Sequence, residues 1–228
     1  MPRYTLNLQI DSQSLSMLYA AGQRITLGQP ANNGTPNLAW IVFNPLQSNT
    51  VNWEDQYGLY ASTSTLMPGA NLVMMSAVPP PAQDASVYTF QPSMFFGPPT
   101  RGGVPSGTYG IQNSAQSFQP LAFGLTQAVE VNGAAMPSRP TSATAMLSNM
   151  MSTFTPSPTI YVWLQSVYGS STFIGNLNAP STRVNFGGGV TSQTLRYDPG
   201  RGVFVPSSSL QAENAATPHV EVSEPAFY

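Results

Sequence analysis

The sequence contains no cysteine and has a single histidine, His219. Without cysteine the chain forms no disulfide, offers no thiolate to a metal and has no cysteine nucleophile. One histidine with dispersed acids does not supply the ligand sets of zinc sites. A serine–histidine–aspartate triad would require His219, nine residues from the last residue of the sequence, to fold onto a serine in the body of the chain. We therefore expect a protein that is not an enzyme and that has no catalytic residues, metal or other cofactor.

Charge is scarce as well, since 7% of the residues are Asp, Glu, Lys or Arg, against about 25% in ordinary soluble domains. There is no lysine: all seven basic residues are arginines, they are scattered singly, and the net charge is −2. A nucleic-acid surface needs clustered cations, so we expect no nucleic-acid partner. The absence of lysine fits a coding bias or a toxin-like chain that avoids lysine-directed modification.

Long apolar runs are missing too. The first 14 residues contain no continuous apolar segment of the kind that signal peptides have, and no stretch approaches 18 apolar residues. This pattern predicts no signal peptide and no transmembrane helix. We expect a chain that is cytoplasmic as synthesised, or released by a non-classical route.

Aromatic residues, glycine and proline are abundant, with 24 aromatic side chains, 19 glycines and 22 prolines. Surface helices are usually built from Glu, Lys, Arg and Ala, so this composition favours strands and loops. Residues 4–10 alternate strictly between apolar and polar, which is the pattern of a half-buried strand. Asn132-Gly133 and the Asp-Pro-Gly turn at residues 198–200 predict two hairpins.

Short strands punctuated by glycine and proline recur along the chain, and they are predicted at residues 24–27, 38–43, 52–63, 70–77, 87–96, 107–112, 121–131, 159–167, 172–177, 181–186, 190–197 and 203–205. A short helix is predicted near residues 12–21, and the methionine and leucine spacing indicates another near 143–152. The fold class that follows is all-β: an antiparallel β-sandwich of jelly-roll or Greek-key type with one or two short helices.

The predicted domain organisation is a single β-sandwich over residues 1–206, with a Pro/Gly-rich crossover near 77–106. The alternative is that this crossover links two smaller domains. Residues 207–228 are Ser-rich and then acidic, which predicts a loosely ordered C-terminal tail.

The segment around residues 53–60 is the candidate ligand-binding site, with Trp53, Glu54, Asp55, Tyr57 and Tyr60. Aromatic faces stack on the apolar faces of sugars, while carboxylates and amides take hydroxyl groups. The competing interpretation is structural, with Trp53 and Tyr57 facing the core while Glu54 and Tyr60 face water.

Glu54 and Asp55 are adjacent, so strand alternation predicts that they point to opposite faces and do not form a facing catalytic pair with each other. A glycosidase would need a second acid from elsewhere, for which Asp84 and Glu130 are the candidates. Asp84 is also, with Glu54 and Asp55, a candidate calcium ligand, although no acidic loop of the EF-hand kind is present.

These observations predict non-catalytic surface recognition: lectin-like binding of a neutral glycan or another cell-surface ligand. Two alternatives remain open. Uncharged alternating segments are also found in β-pore-forming toxin-like proteins. Low charge and edge strands without lysine favour a self-assembling structural or inclusion protein, and with it a homo-oligomer.

Overall fold

The computed structural model describes residues 2–30, 32, 34–117 and 119–207. The elements in chain order are β1 (Arg3–Gln9), α1 (Ser12–Ala20), β2 (Arg24–Gly28), β3 (Leu38–Ala39), β4 (Ile41–Phe43), β5 (Ser48–Glu54), β6 (Gly58–Ser62), β7 (Ser76–Val78), β8 (Ser86–Phe90), β9 (Thr100–Arg101), β10 (Tyr109–Asn113), β11 (Leu121–Val131), β12 (Ala134–Pro140), β13 (Thr144–Met146), β14 (Met151–Phe154), β15 (Thr159–Gln165), β16 (Thr172–Phe173), β17 (Ser181–Asn185), β18 (Ser192–Asp198) and β19 (Val203–Pro206). Strands contain 49% of the residues and helix contains 5%. The prediction of an all-β, sandwich-like fold is confirmed.

The strands form one large sheet and three smaller ones. The nine-stranded sheet runs in the order β19-β18-β1-β5-β11-β6-β7, with β12 and β13 also paired to β11. The second sheet is β17-β15-β2-β4, the third is β14-β10-β8-β9, and β16 pairs with β3. Pairing is antiparallel except between β1 and β18 and between β8 and β10.

The described residues contain four buried apolar clusters, and the two largest lie between these sheets. The first cluster joins the nine-stranded sheet to the second sheet and α1, and includes Leu6, Leu8, Trp40, Trp53, Val162 and Phe204. The second cluster joins β6 and β11 to the third sheet, and includes Tyr57, Leu59, Phe90, Ile111, Phe123 and Phe154. The long strand β11 contributes to both, because Leu121, Phe123 and Leu125 enter the second cluster and Val129 and Val131 enter the first.

The predictions for the N-terminal elements are confirmed. The apolar positions of β1 are buried, as the alternation of residues 4–10 requires. Asp11 caps the helix, since its carboxylate accepts a hydrogen bond from the Ser14 N–H at 2.9 Å. The helix ends at Ala20, two residues before Gly22, which has φ +62°.

Both predicted hairpins are present. Asn132 and Gly133 have φ values of +52° and +80° and connect β11 to β12, which is the geometry that the Asn-Gly pair favours. The turn that follows Asp198 connects β18 to β19.

The predicted second helix near 143–152 is wrong. This segment forms β13 and β14 with a turn between them, in which Asn149 has φ +66°. Met146 is buried in the second cluster while Leu147, Met150 and Met151 are exposed. A four-residue turn between two strands reproduced the spacing of a helical face, and pairing of β13 with β11 decided the conformation.

Five strand predictions need correction. Residues 87–96 and 172–177 form strands only over Ser86–Phe90 and Thr172–Phe173. Residues 38–43 divide into β3 and β4, which belong to different sheets.

Residues 52–63 form parts of two strands, β5 and β6, and the turn between them contains Asp55 and Tyr57. Residues 70–77 are largely irregular, with a strand only from Ser76 onward. Strand β5 ends at the Arg3–Glu54 pair, where its partner β1 begins, and β7 begins at its pair with Ala61; a single segment does not reveal such partners.

The Pro/Gly-rich segment 77–106 carries the chain from the nine-stranded sheet to the third sheet, where β8 and β9 begin a new layer. The single-domain assignment stays a prediction. The predicted tail and His219 lie outside the described residues from position 208 onward. Among the described residues no helix has the length and apolar character needed to span a membrane.

Candidate functional site

The structure separates the five residues predicted to bind a ligand. Trp53 has 4% of its surface exposed and packs edge-on against Trp40 and Phe186, with ring centroids 6.2 and 5.0 Å away. Tyr60 is fully buried, and its hydroxyl donates a hydrogen bond to the Ser142 carbonyl at 2.8 Å. The rings of Trp53 and Tyr60 are therefore packed in the interior, whereas the structural interpretation placed only the first of them there.

Glu54 lies at the exposed end of β5, on a shallow groove of about 280 Å³. The same groove contains Arg3 and Glu130, whose side chains form an ion pair at 3.6 Å. Asn52 donates a hydrogen bond to the other carboxylate oxygen of Glu130 at 3.1 Å. Glu130 is thus engaged by two neighbours, and this groove holds a polar network rather than an open pair of acids.

Asp55 and Tyr57 face a different place, a cavity of about 400 Å³. We call it the Asp55–Asp84 cavity, and it is lined by Pro2, Asp55, Tyr57, Ala82, Asp84, Gly107, Tyr109, Pro156 and Pro158. Five separate segments of the chain meet here. Asp84, which the sequence offered as a second acid, lies on the same cavity as Asp55.

Backbone hydrogen bonds hold these segments together. The Asp55 N–H donates to the Pro2 carbonyl at 3.0 Å, which ties the turn after β5 to the N-terminal strand. The Ala82 N–H donates to the Tyr57 carbonyl at 2.7 Å and fixes the crossover beside the same turn. A carboxylate oxygen of Asp84 accepts from the Gly107 N–H at 2.9 Å, so this side chain is oriented by the loop before β10.

The two tyrosines at the cavity are strongly affected by their surroundings. Their rings lie 6.2 Å apart, tilted by 58°. Burial first, and then the Asp55 carboxylate, raise the pKa of Tyr57 well above its ordinary value. Burial, followed by the charges of Asp84 and Asp55, raises the pKa of Tyr109 to about 12. Both phenols therefore stay protonated around neutral pH, and the Tyr57 hydroxyl donates a hydrogen bond to the Asp55 carboxylate.

The cavity combines two acidic side chains with two phenols, and its described lining contains no arginine. Carboxylate oxygens accept hydrogen bonds from hydroxyl groups, phenols donate and accept them, and tyrosine and proline rings present apolar faces. Among the described residues no three side chains of His, Asp or Glu come together as a metal-binding group. The arrangement suits a ligand that is rich in hydroxyl groups and has an apolar face.

Sequence reasoning identified part of this cavity and missed the rest. Asp55 and Tyr57 were predicted to bind a ligand, and Asp84 was named as a second acid, but Tyr109 was not singled out. Tyr109 follows Tyr57 by 52 positions in the chain, and no local pattern marks it. The signal that brings it here is the pairing of β10 with β8, just after the crossover loop.

Comparison with known proteins gave one finding: the model of the family described as RhiA matches residues 1–208. No curated protein and no solved structure matches the chain.

Proposed function

We propose that this chain, which belongs to the RhiA family, is a non-catalytic recognition protein that binds a neutral glycan. The observation that carries the proposal is the Asp55–Asp84 cavity, where two carboxylates and two largely buried tyrosines line a space of about 400 Å³. Ligand pockets for small molecules commonly have volumes of about 300 to 1,000 Å³, so a sugar unit fits.

The chemistry of the cavity supports a neutral ligand over an anionic one. Asp55 and Asp84 would repel a phosphate or carboxylate group, whereas both accept hydrogen bonds from sugar hydroxyls. Tyr109 adds a hydrogen-bond donor, the hydrogen bond from Tyr57 orients the Asp55 carboxylate, and both tyrosines contribute ring surface, which suits the alternating polar and apolar surface of a pyranose.

The test is binding of the purified chain to a glycan array, followed by titration with the free sugar that competes. Replacing both acids, Asp55→Asn and Asp84→Asn, should weaken binding by about tenfold or more, since hydrogen bonds to charged groups contribute about 1.5 to 3 kcal/mol. The matched control is Asp198→Asn, because Asp198 is the last residue of β18 and does not line the cavity. Binding that is unaffected by the double substitution, or no binding to any glycan, would overturn the proposal.

A second candidate is glycoside hydrolysis, which the shared cavity of Asp55 and Asp84 specifically favours. Glycosidases place two carboxyl groups across the scissile bond, and these two acids face one space. The purified chain would then hydrolyse chromogenic glycosides, and Asp55→Asn or Asp84→Asn would each remove the activity while leaving the fold intact. Hydrolysis with this dependence would replace the non-catalytic proposal.

Self-assembly is a further candidate, favoured by the outer end of the nine-stranded sheet. Strand β7 ends this sheet and contains no charged residue, and Met74 and Met75 beside it are 37% and 39% exposed. Unprotected edges of this kind pair readily with other strands. If this edge drives assembly, Ala77→Lys should reduce concentration-dependent light scattering, whereas Ala20→Lys, at the end of α1, should leave it unchanged.

A further inference from the structure

We propose that the chain has a second saccharide site, which is uncharged and lies on the second sheet. The site is a cleft of about 460 Å³ between β15 and the segment that follows β16, and we call it the Trp163 cleft. Its principal residues are Trp163, Gln165, Tyr168, Ile174, Asn176 and Asn178. The proposal stands independently of the Asp55–Asp84 cavity, because the two sites share no lining residue.

The floor of the cleft is apolar and well packed. Trp163 and Ile174 are 3% and 7% exposed, and they form a buried cluster with Ala39. Tyr168 and Leu177 are half-buried against the same cluster. A rigid aromatic and aliphatic floor of this kind can receive the apolar face of a sugar ring with little loss of conformational freedom.

Gln165 positions the loop after β15, which forms one wall of the Trp163 cleft. Its amide nitrogen donates to Thr26 Oγ1 at 2.8 Å and to the Tyr168 carbonyl at 3.0 Å. Its carbonyl oxygen accepts from the N–H groups of Val167 and Tyr168, both at 2.6 Å. These four bonds fix the loop after β15, and therefore hold Tyr168 at the rim of the cleft.

The opposite rim carries two amides. Asn176 and Asn178 line the cleft and are both exposed to solvent. They are two positions apart, with the half-buried Leu177 between them packing toward the apolar cluster. An asparagine amide both donates and accepts hydrogen bonds, and so does a hydroxyl group. The pair can therefore bind neighbouring hydroxyl groups of a polyol.

The residues that line the cleft include no Asp, Glu or Arg. A charged ligand would lose its hydration without meeting an opposite charge, so this cleft selects against ions. The combination of an apolar floor with amides at the rim therefore points to a neutral saccharide as the ligand class. With two such sites, one chain would bind two sugar units and cross-link glycans.

The experiment uses the indole N–H signals of the full-length chain in heteronuclear NMR. The sequence contains three tryptophans, so three signals are expected, and Trp163→Phe assigns the signal of interest. The probes are glucose, galactose, mannose, xylose, N-acetylglucosamine and their disaccharides, each at millimolar concentration. At least one probe should shift the Trp163 signal, whereas the Trp40 signal, from a fully buried side chain outside the cleft, should stay in place.

Three variants decide the assignment. The pair Asn176→Ala with Asn178→Ala should raise the dissociation constant by about tenfold, because two hydrogen bonds are lost. Ala179→Phe should abolish the shift by filling the cleft, which Ala179 lines. The matched control Asn44→Ala removes an exposed asparagine elsewhere and should change nothing.

The outcomes separate the two proposals. A Trp163 shift that persists in Asp55→Asn with Asp84→Asn, and that disappears in Ala179→Phe, supports the second site whether or not the first cavity binds sugar. If no probe shifts the Trp163 signal, or if the shift survives Ala179→Phe, the second site is overturned, and the first cavity is unaffected by that result.

Discussion

Asn49 is fully buried, and its side chain completes hydrogen bonds of the loop that leads into β5. Its carbonyl oxygen accepts from the Leu46 N–H at 2.9 Å, and its amide donates to the carbonyls of Leu46 and Leu8 at 2.7 and 3.3 Å. One side chain therefore closes the turn and attaches it to β1. A buried amide with three partners is characteristic of a structural role.

Replacing Asn49 by alanine should lower the free energy of unfolding by about 2 kcal/mol, because two hydrogen bonds that close the turn at Leu46 and the buried one to the Leu8 carbonyl would be lost. Urea denaturation followed by circular dichroism measures the change. Asn44→Ala, at an exposed position of the same loop, is the control and should alter stability by less than about 0.5 kcal/mol. Equal stabilities of the two variants would contradict the role given to Asn49.

The buried tyrosines give the protein a dependence on alkaline pH. Burial raises the pKa values of Tyr57 and Tyr60 well above the ordinary range and that of Tyr109 to about 12. In the unfolded chain these phenols ionise near pH 10, at about their reference value. The stability that they contribute is therefore complete below pH 10 and is lost as the pH rises through about 12.

We expect a spectrophotometric titration to show a high-pH phase in which Tyr57, Tyr60 and Tyr109 ionise only above the ordinary phenol range, as the protein unfolds. Tyr109→Phe should reduce the amplitude of this phase. If all ten phenols ionised in one step near pH 10 while the near-UV circular dichroism stayed native, the buried environments described here would be wrong.

At the scale of elements, β11 is the strand that the rest of the fold depends on. It pairs with β5, β6, β12 and β13, and it contributes to both apolar clusters. Gly124 lies at its crowded point, where a β-carbon would overlap the Ser142 carbonyl oxygen and come within 3.0 Å of the Tyr60 ring. That carbonyl also accepts the Tyr60 hydroxyl, so it has little freedom to move.

Gly124→Ala should therefore destabilise the protein by about 3 kcal/mol, through overpacking of a buried site. Gly169→Ala is the matched control, because a β-carbon there would meet no atom within 4 Å. Thermal unfolding by calorimetry measures both variants, and the control should melt at the wild-type temperature. A Gly124→Ala variant with unchanged melting would show that the strands separate more easily than their packing indicates.

At the scale of the whole molecule, the nine-stranded sheet contributes side chains to both the first and the second apolar cluster. Strands from the two ends of the described chain pair within this sheet. Strand β1 lies between β5 and β18, with Leu8 opposite Leu195 in parallel register. Leu195 is 2% exposed and belongs to the first cluster. Because β11 is continuous through both clusters, we predict that they unfold together as a single domain.

Leu195→Ala tests this prediction. It should cost about 2 to 5 kcal/mol. In a Trp163→Phe background, tryptophan fluorescence reports Trp40 and Trp53 in the first cluster, and the denaturation midpoint should fall equally for this signal and for amide exchange of β10 in the second. Leu147→Ala, which truncates a leucine that is 52% exposed, is the control. Two separate midpoints would show that the two clusters unfold independently, as two domains.

The sequence allowed the fold class and several individual elements to be predicted, where the cause is local. The alternation of residues 4–10 specifies β1, Asp11 caps α1, and Asn132-Gly133 specifies the hairpin after β11. The methionine spacing near 143–152 gave a wrong prediction of a helix, because a turn between strands and a helical turn place apolar residues at similar intervals.

By itself, the sequence determined that the chain is rich in strands, has no cysteine chemistry and carries little charge, since composition and short-range patterns act directly on the backbone. Only the tertiary structure decided that Trp53 and Tyr60 are interior residues, that Asp55 lies on one cavity with Asp84, and that Tyr109 joins them. These outcomes depend on which strands pair across 23 or more positions of the chain, and long-range pairing of this kind is set by the packing of whole sheets.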